Sequence, residues 1–157
     1  MKKSSAPQNV LIIDSDYDEA SGFIKGGQEI TQEKWKVALY ENNTIYGIGR
    51  YIKFFTVALK TILSASEYEG KTVLCWQQFY GIAIAFFCRL FHLKKKYRLV
   101  IMTFIYKQKR GLPGKIFYHF VKYAITSQYV DKIILTTQSE SLMYKNIFGM
   151  DEQRFSF

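Results

Sequence analysis

KTVLCWQQFYGIAIAFFCRLFHLKKKYRLVIMTFI, residues 71–105, decides the fold. Residues 71–76 form a short β-branched and apolar run. Residues 79–93 are apolar over a helical length, and 97–105 return to strand texture. Strand, helix and strand in that order make a right-handed crossover unit with its two strands parallel. Continuous apolar strands of this kind belong in a sheet covered on both faces.

The same alternation extends outward. Asn9-Val-Leu-Ile-Ile-Asp14 reads as a buried strand ending in an acidic loop, and 35–40 as one more short strand. Residues 46–63 have helical spacing, with Tyr51, Ile52, Phe55, Leu59, Ile62 and Leu63 on one face. Downstream, Pro113-Gly114 opens a helix over 113–126, with Ile116, Phe117, Phe120, Val121 and Ala124 as its inward stripe. A strand follows over 131–137, then a helix over 139–148 closed by Gly149, and a last strand begins at Arg154-Phe-Ser-Phe157. Between the first strand and the first long helix, Gly22-Phe-Ile-Lys-Gly-Gly27 reads as a flexible loop. The predicted fold is α/β: one three-layer, Rossmann-like domain over 1–157 with a mainly parallel sheet.

Composition narrows the classes. Between Gly70 and Val130 there is no Asp or Glu, while eleven Lys or Arg fall there, so the net charge of +9 is concentrated. Such a block attracts a polyanion. Hydrophobic content of 48% with two prolines excludes a disordered chain. The longest apolar run, 79–91, is interrupted by Arg89 and falls short of the roughly 20 residues of a membrane span. Val10–Ile13 is too short for a signal-peptide core. Cys75 and Cys88 sit in apolar runs and read as reduced core thiols, which suits the cytoplasm. His92 and His119 lack metal-ligand spacing, so no metal is expected.

In an open parallel sheet, ligands bind beyond the carboxyl ends of the strands. The tips there are Asp14-Ser-Asp16, Trp76-Gln-Gln78, Thr103-Phe-Ile-Tyr106 and Thr137-Gln-Ser-Glu140. Tyr46-Gly-Ile-Gly-Arg-Tyr51 opens the first long helix, where backbone N–H groups and Arg50 suit a phosphate or sugar. A tight turn is the plainer reading of those glycines. Asp14-x-Asp16 resembles the nucleophile loop of haloacid-dehalogenase-type phosphatases, against a default of a solvated loop capping strand ends. The basic residues Lys94, Lys95, Lys96, Arg98, Lys107, Lys109, Arg110, Lys115 and Lys122, interleaved with tyrosine, suit an anionic membrane surface. A merely solvated face is the alternative, and no nucleic-acid-binding motif accompanies them.

Taken together, Gly47-Ile-Gly-Arg-Tyr51, the strand-tip segments at Trp76 and Thr103, and Leu135-Thr-Thr-Gln-Ser-Glu140 resemble the N-terminal domain of GT-B glycosyltransferases of the family-4-like type. Thr103-Phe104 stands where many of those enzymes have a histidine. The resemblance implies a domain that binds the sugar acceptor, lipid-linked or polysaccharide, at the cytoplasmic membrane face. Gly47, Gly49, Arg50, Gln77, Gln78, Thr103, Tyr106, Ser139 and Glu140 would be its substrate contacts. It further implies a nucleotide sugar as co-substrate, no resident cofactor, and a donor-binding C-terminal domain that lies outside these residues and without which no transfer occurs. Two other readings are a non-catalytic basic module that recruits a partner to the membrane, and a small phosphatase using Asp14 and Asp16.

Overall fold

A computed structural model describes residues 7–14, 17–39 and 48–157. Its elements run β1 (Asn9–Ile13), α1 (Tyr17–Thr31), β2 (Trp35–Leu39), α2 (Ile48–Leu63), β3 (Thr72–Cys75), α3 (Gln78–Leu90), β4 (Arg98–Ile101), α4 (Gly111–Ile125), β5 (Val130–Ile134), α5 (Gln138–Phe148) and β6 (Phe155–Ser156). The six strands form one sheet in the order β2-β1-β3-β4-β5-β6. Every pairing is parallel. The fold is therefore α/β, with helices flanking an all-parallel sheet.

Burial explains the strand textures. β1 is buried at all five positions because both faces are covered. Val10 and Ile12 join the large core beneath the layer of α2, α3, α4 and α5, while Leu11 and Ile13 meet Phe23 and Ile24 of α1. Each such fully buried aliphatic contributes about 1.5–3 kcal/mol of transfer free energy. β5 is instead only partly buried: Val130 and Ile133 are buried, Lys132 is exposed, and Asp131 and Ile134 are half-buried. The α1 face of β4 and β5 is less completely covered than that of β1.

Helix α3 packs directly on the sheet. A Cβ at Gly81 would lie 2.5 Å from Ile101 Cγ1, so only glycine lets the helix approach β4 this closely. Arg89, at the other end of α3, donates to the Tyr123 carbonyl at 2.6 Å and sits 4.2 Å from the Tyr123 ring centre, fastening α3 to α4. At the amino ends of the strands, buried Asn9 bridges Glu33 at 2.5 Å and the Thr72 N–H at 2.9 Å, joining β1, β3 and the α1–β2 loop. Both cysteines are buried and free, as the sequence implied.

Three expectations need correction. The Gly22–Gly27 cluster is not a loop, since it lies within α1. Tertiary contact overrides the glycine penalty there. Phe23 packs edge-on to Trp76 at 5.2 Å, and Gly27 lies against the Trp35 ring. Secondly, the predicted face of α2 is only partly its buried face. Phe55 and Ile62 of that face pack against the core, but Tyr51, Ile52, Leu59 and Leu63 are exposed, and the fully buried residues are Phe54, Val57, Ala58 and Thr61. Thirdly, Ile116 of the predicted inward stripe of α4 is 62% exposed, and the buried face there runs through Val121, Ala124 and Ile125. Both helices carry apolar residues around more of their circumference than one buried face requires, so periodicity alone did not select the face. Among the described residues, no helix is long and apolar enough to cross a membrane.

Candidate functional site at the C-terminal edge of the sheet

The chain leaves β1 for β2 on one side and later returns to β3 on the other. Such a reversal opens a crevice beyond the carboxyl ends of the two strands. Asp14 directly follows β1, Gln77 is the N-cap of α3, and Gly49 and Arg50 lie in the first turn of α2. These three elements converge on the Asp14 carboxylate.

The Asp14 side chain is only 4% exposed, and Arg50 Nη2 stands 3.8 Å from its Oδ2. That distance makes an ion pair without a hydrogen bond. Arg50 is itself 44% exposed and leans over the Phe54 ring at 5.7 Å, so its guanidinium faces both the carboxylate and solvent. Burial raises the Asp14 carboxyl above its ordinary range, and Arg50, its own backbone, Lys53 and a hydrogen bond with Gln77 offset part of that rise. The expectation of a solvated acidic loop is thus corrected at Asp14. Asp16 and Gly47 lie outside the described residues. Chemically, the β1 tip pairs a largely buried carboxylate with a half-exposed cation, at a helix start that has no acidic residue in its first turn. This pairing suits a ligand carrying hydroxyls or an anionic group.

The other strand-tip residues serve the scaffold. Gln78 clamps Ile105 twice: its amide donates to the carbonyl at 3.0 Å, and its oxygen accepts the Ile105 N–H at 3.0 Å. Thr103 adopts φ +49° and donates to the Trp76 carbonyl at 2.6 Å, holding the β4 tip against the β3 tip. A threonine in the left-handed region is strained, and such strain persists only where surrounding contacts impose it. Tyr106 is buried, with its ring stacked on Phe117 at 6.0 Å and its N–H bonded to the Tyr144 hydroxyl at 3.0 Å, which makes it a core residue. Glu140 completes a capping box with Thr137, accepting the Thr136 and Thr137 N–H groups at 3.0 Å each. Ser139 meets the Thr137 hydroxyl at 3.0 Å. Of the residues named from sequence as substrate contacts, the described structure brings Arg50 and Gln77 to Asp14, with Gly49 next to Arg50 in the chain, and distributes the rest along the sheet edge.

The basic residues also divide. Strand β4 carries the chain from one edge of the sheet to the other between Lys96 and Lys107. Lys94, Lys95, Lys96 and Arg98 therefore stand at the amino-terminal edge. There Lys95 is engaged by Asp131 at 2.8 Å and by the Gln128 carbonyl at 2.9 Å. Lys107, Lys109, Arg110 and Lys115 stand at the opposite edge, around the start of α4. Gly114 makes that edge compact, because a Cβ there would lie 2.1 Å from the Lys109 carbonyl oxygen. Lys122, half-buried near the end of α4, reaches the Tyr118 hydroxyl at 3.3 Å. A linear run of charge is thus two separate surfaces.

Two features escaped the sequence. Lys53 contributes to the field at Asp14 from one turn beyond Arg50, a spacing of three that was readable once α2 was placed. The other is an apolar groove between α2, α3 and α4, which required knowing which helix faces are left uncovered. Among the described residues, no group of three or more His, Cys, Asp or Glu could hold a metal ion. Searches of family models, curated proteins and solved structures return no match.

Proposed function

We propose that the chain is the acceptor-binding domain of a GT-B glycosyltransferase that moves a sugar from a nucleotide donor to a lipid-linked or polysaccharide acceptor at a membrane surface. One observation carries the reading: the first turn of α2 presents Arg50 beside the desolvated Asp14, with Gln77 of α3, at the reversal point between β1 and β3. A sugar acceptor is rich in hydroxyls and, when lipid-linked, anionic. Asp14 and Gln77 match the hydroxyls, and Arg50 matches the charge. In this reading a second, donor-binding domain supplies the nucleotide-sugar contacts, and the reaction takes place between the two. The phosphatase reading gains no support. The tips of β3, β4 and β5 carry Gln77, Gln78, Thr103, Thr136 and Thr137 rather than the further acids that chemistry requires.

Sugar transfer from a radiolabelled nucleotide sugar tests the proposal. Residues 1–157 alone should give none, and supplying a GT-B donor-binding domain, in cis or in trans, should restore it. In the restored enzyme, Arg50→Ala should lower kcat/KM by about 10- to 150-fold, the loss of one charge-assisted contact worth about 1.5–3 kcal/mol. Robust transfer by the 157 residues alone would refute the divided site. Unchanged turnover in Arg50→Ala would remove the crevice from the mechanism.

A further inference from the structure

Helices α2, α3 and α4 leave a groove of about 500 Å³ between them on the outer side of the helical layer. Its walls are Tyr51, Phe54, Phe79 and Phe117, and Leu112 and Ile116 form its lip. The lip residues are 70% and 62% exposed, an unusual position for two large aliphatics side by side at the first turns of a helix. Among the described residues, no side chain lining the groove carries a charge, and the Tyr51 hydroxyl is its one polar side-chain group. The three helices together contain no Asp or Glu, but they do contain Arg50, Lys53, Lys60, Arg89, Lys115 and Lys122. Immediately beside the lip, Lys109, Arg110 and Lys115 line a second, open cavity of about 420 Å³. Lys109 Nζ also stands 5.1 Å from the centre of the Phe117 ring, so the cationic cavity and the apolar groove share a wall.

We propose that this groove docks the domain on a membrane, taking a hydrocarbon chain of an anionic phospholipid while Lys109, Arg110 and Lys115 face its phosphate. The chemistry of the two adjoining cavities requires both halves of such a molecule. A hydrocarbon chain needs no hydrogen-bond partner, and the groove presents it with little besides carbon, the Tyr51 hydroxyl excepted. A phosphate needs cations with no competing carboxylate nearby, and the three helices supply that field. The volume lies within the range of small-ligand sites. Lys94, Lys95 and Lys96 have no part in this surface, since they stand at the other edge of the sheet. The proposal rests on the membrane location in the reading above and is independent of the sugar chemistry. Loss of transfer with intact vesicle binding would count against that reading alone.

Co-sedimentation with phosphatidylglycerol vesicles provides the test. The Leu112→Ser/Ile116→Ser variant should bind at least about tenfold more weakly than wild type, because two exposed aliphatics lose their hydrocarbon environment. Its thermal melt should be unchanged, since both side chains are already largely in water. Lys94→Gln/Lys95→Gln/Lys96→Gln should bind close to wild type. In a third arm, tryptophan in Ile116→Trp should be quenched by vesicles with brominated acyl chains beyond the quenching of Trp35 and Trp76 in the wild-type chain. Wild-type binding by the double serine variant, or absence of that extra quenching, would overturn the proposal. So would binding lost equally in the lysine triple variant, and so would a dimer seen by light scattering that the serine variant abolishes while neither protein binds vesicles.

Discussion

Asp14 concentrates the tension between stability and use in this domain. Its carboxylate is nearly removed from water, yet its cation is 3.8 Å away and not hydrogen-bonded to it. The net outcome is a carboxyl raised above its ordinary value, with burial the dominant cause. The sign follows from linkage. An acid that binds its proton more tightly when folded destabilises the fold as pH rises through its folded value, and that cost disappears once the group is protonated. Asp14→Asn keeps the shape and removes the charge. The variant should be at least as stable as wild type at pH 7. Its stability advantage should shrink as pH falls from the raised folded value toward the ordinary carboxylate range. Urea denaturation at a series of pH values measures this directly, and an Asn variant that is less stable at pH 7 would show that Arg50 and Gln77 outweigh burial. If Asp14 serves binding, the stabilised variant should also be the poorer enzyme, as expected where a site retains desolvated charge for function.

Among the elements, α1 is held least by its own sequence. Gly22, Gly26 and Gly27 lie within it, each lowering helix stability by about 0.5–1 kcal/mol relative to alanine. A Cβ at Gly22 or Gly26 would meet nothing within 4 Å. Alanine is therefore free to enter both positions, and Gly22→Ala/Gly26→Ala should raise the stability of the domain by about 1–2 kcal/mol in chemical denaturation, the sum of two helix-propensity gains. No gain, or a loss, would mean that the backbone at these positions needs glycine for a reason other than space. Helix α5 presents the opposite case. Its start is fastened by the Thr137 and Glu140 capping box, and its end by Gly149 at φ +68°. Both signals stand in the sequence as Thr-x-x-Glu and a terminal glycine.

At the scale of the whole molecule, the two faces of the sheet are unequal. Four helices and a continuous aromatic core cover one face, and α1 packs on a small cluster around Leu11, Ile13 and Leu74 on the other. Local opening should follow that asymmetry. In native-state hydrogen exchange, α1 should exchange well before α3, whose Gly81 face lies directly on Ile101, and β1 and β3 should be the slowest segments. Equal protection of α1 and α3 would indicate a single cooperative unit despite the uneven layers.

The strand textures and helix lengths were enough to determine the parallel α/β architecture, because burial on two faces demands apolar strands and a crossover demands a helix between them. The Gly149 stop of α5 and the core cysteines were legible for local reasons, whereas Glu140, read as a substrate contact, caps the start of α5 with Thr137. The helical state of the Gly22–Gly27 segment was decided by packing on Trp35, the β1 face and, from far along the chain, Trp76. The exposed faces of α2 and α4 were decided by how three apolar-rich helices share one side of a sheet. Arg50 and Gln77 could be named from their strand-tip and helix-start positions. Their meeting at a buried Asp14 could not, because strand order, rather than any one segment, places the ends of β1 and β3 and the start of α2 around a single carboxylate.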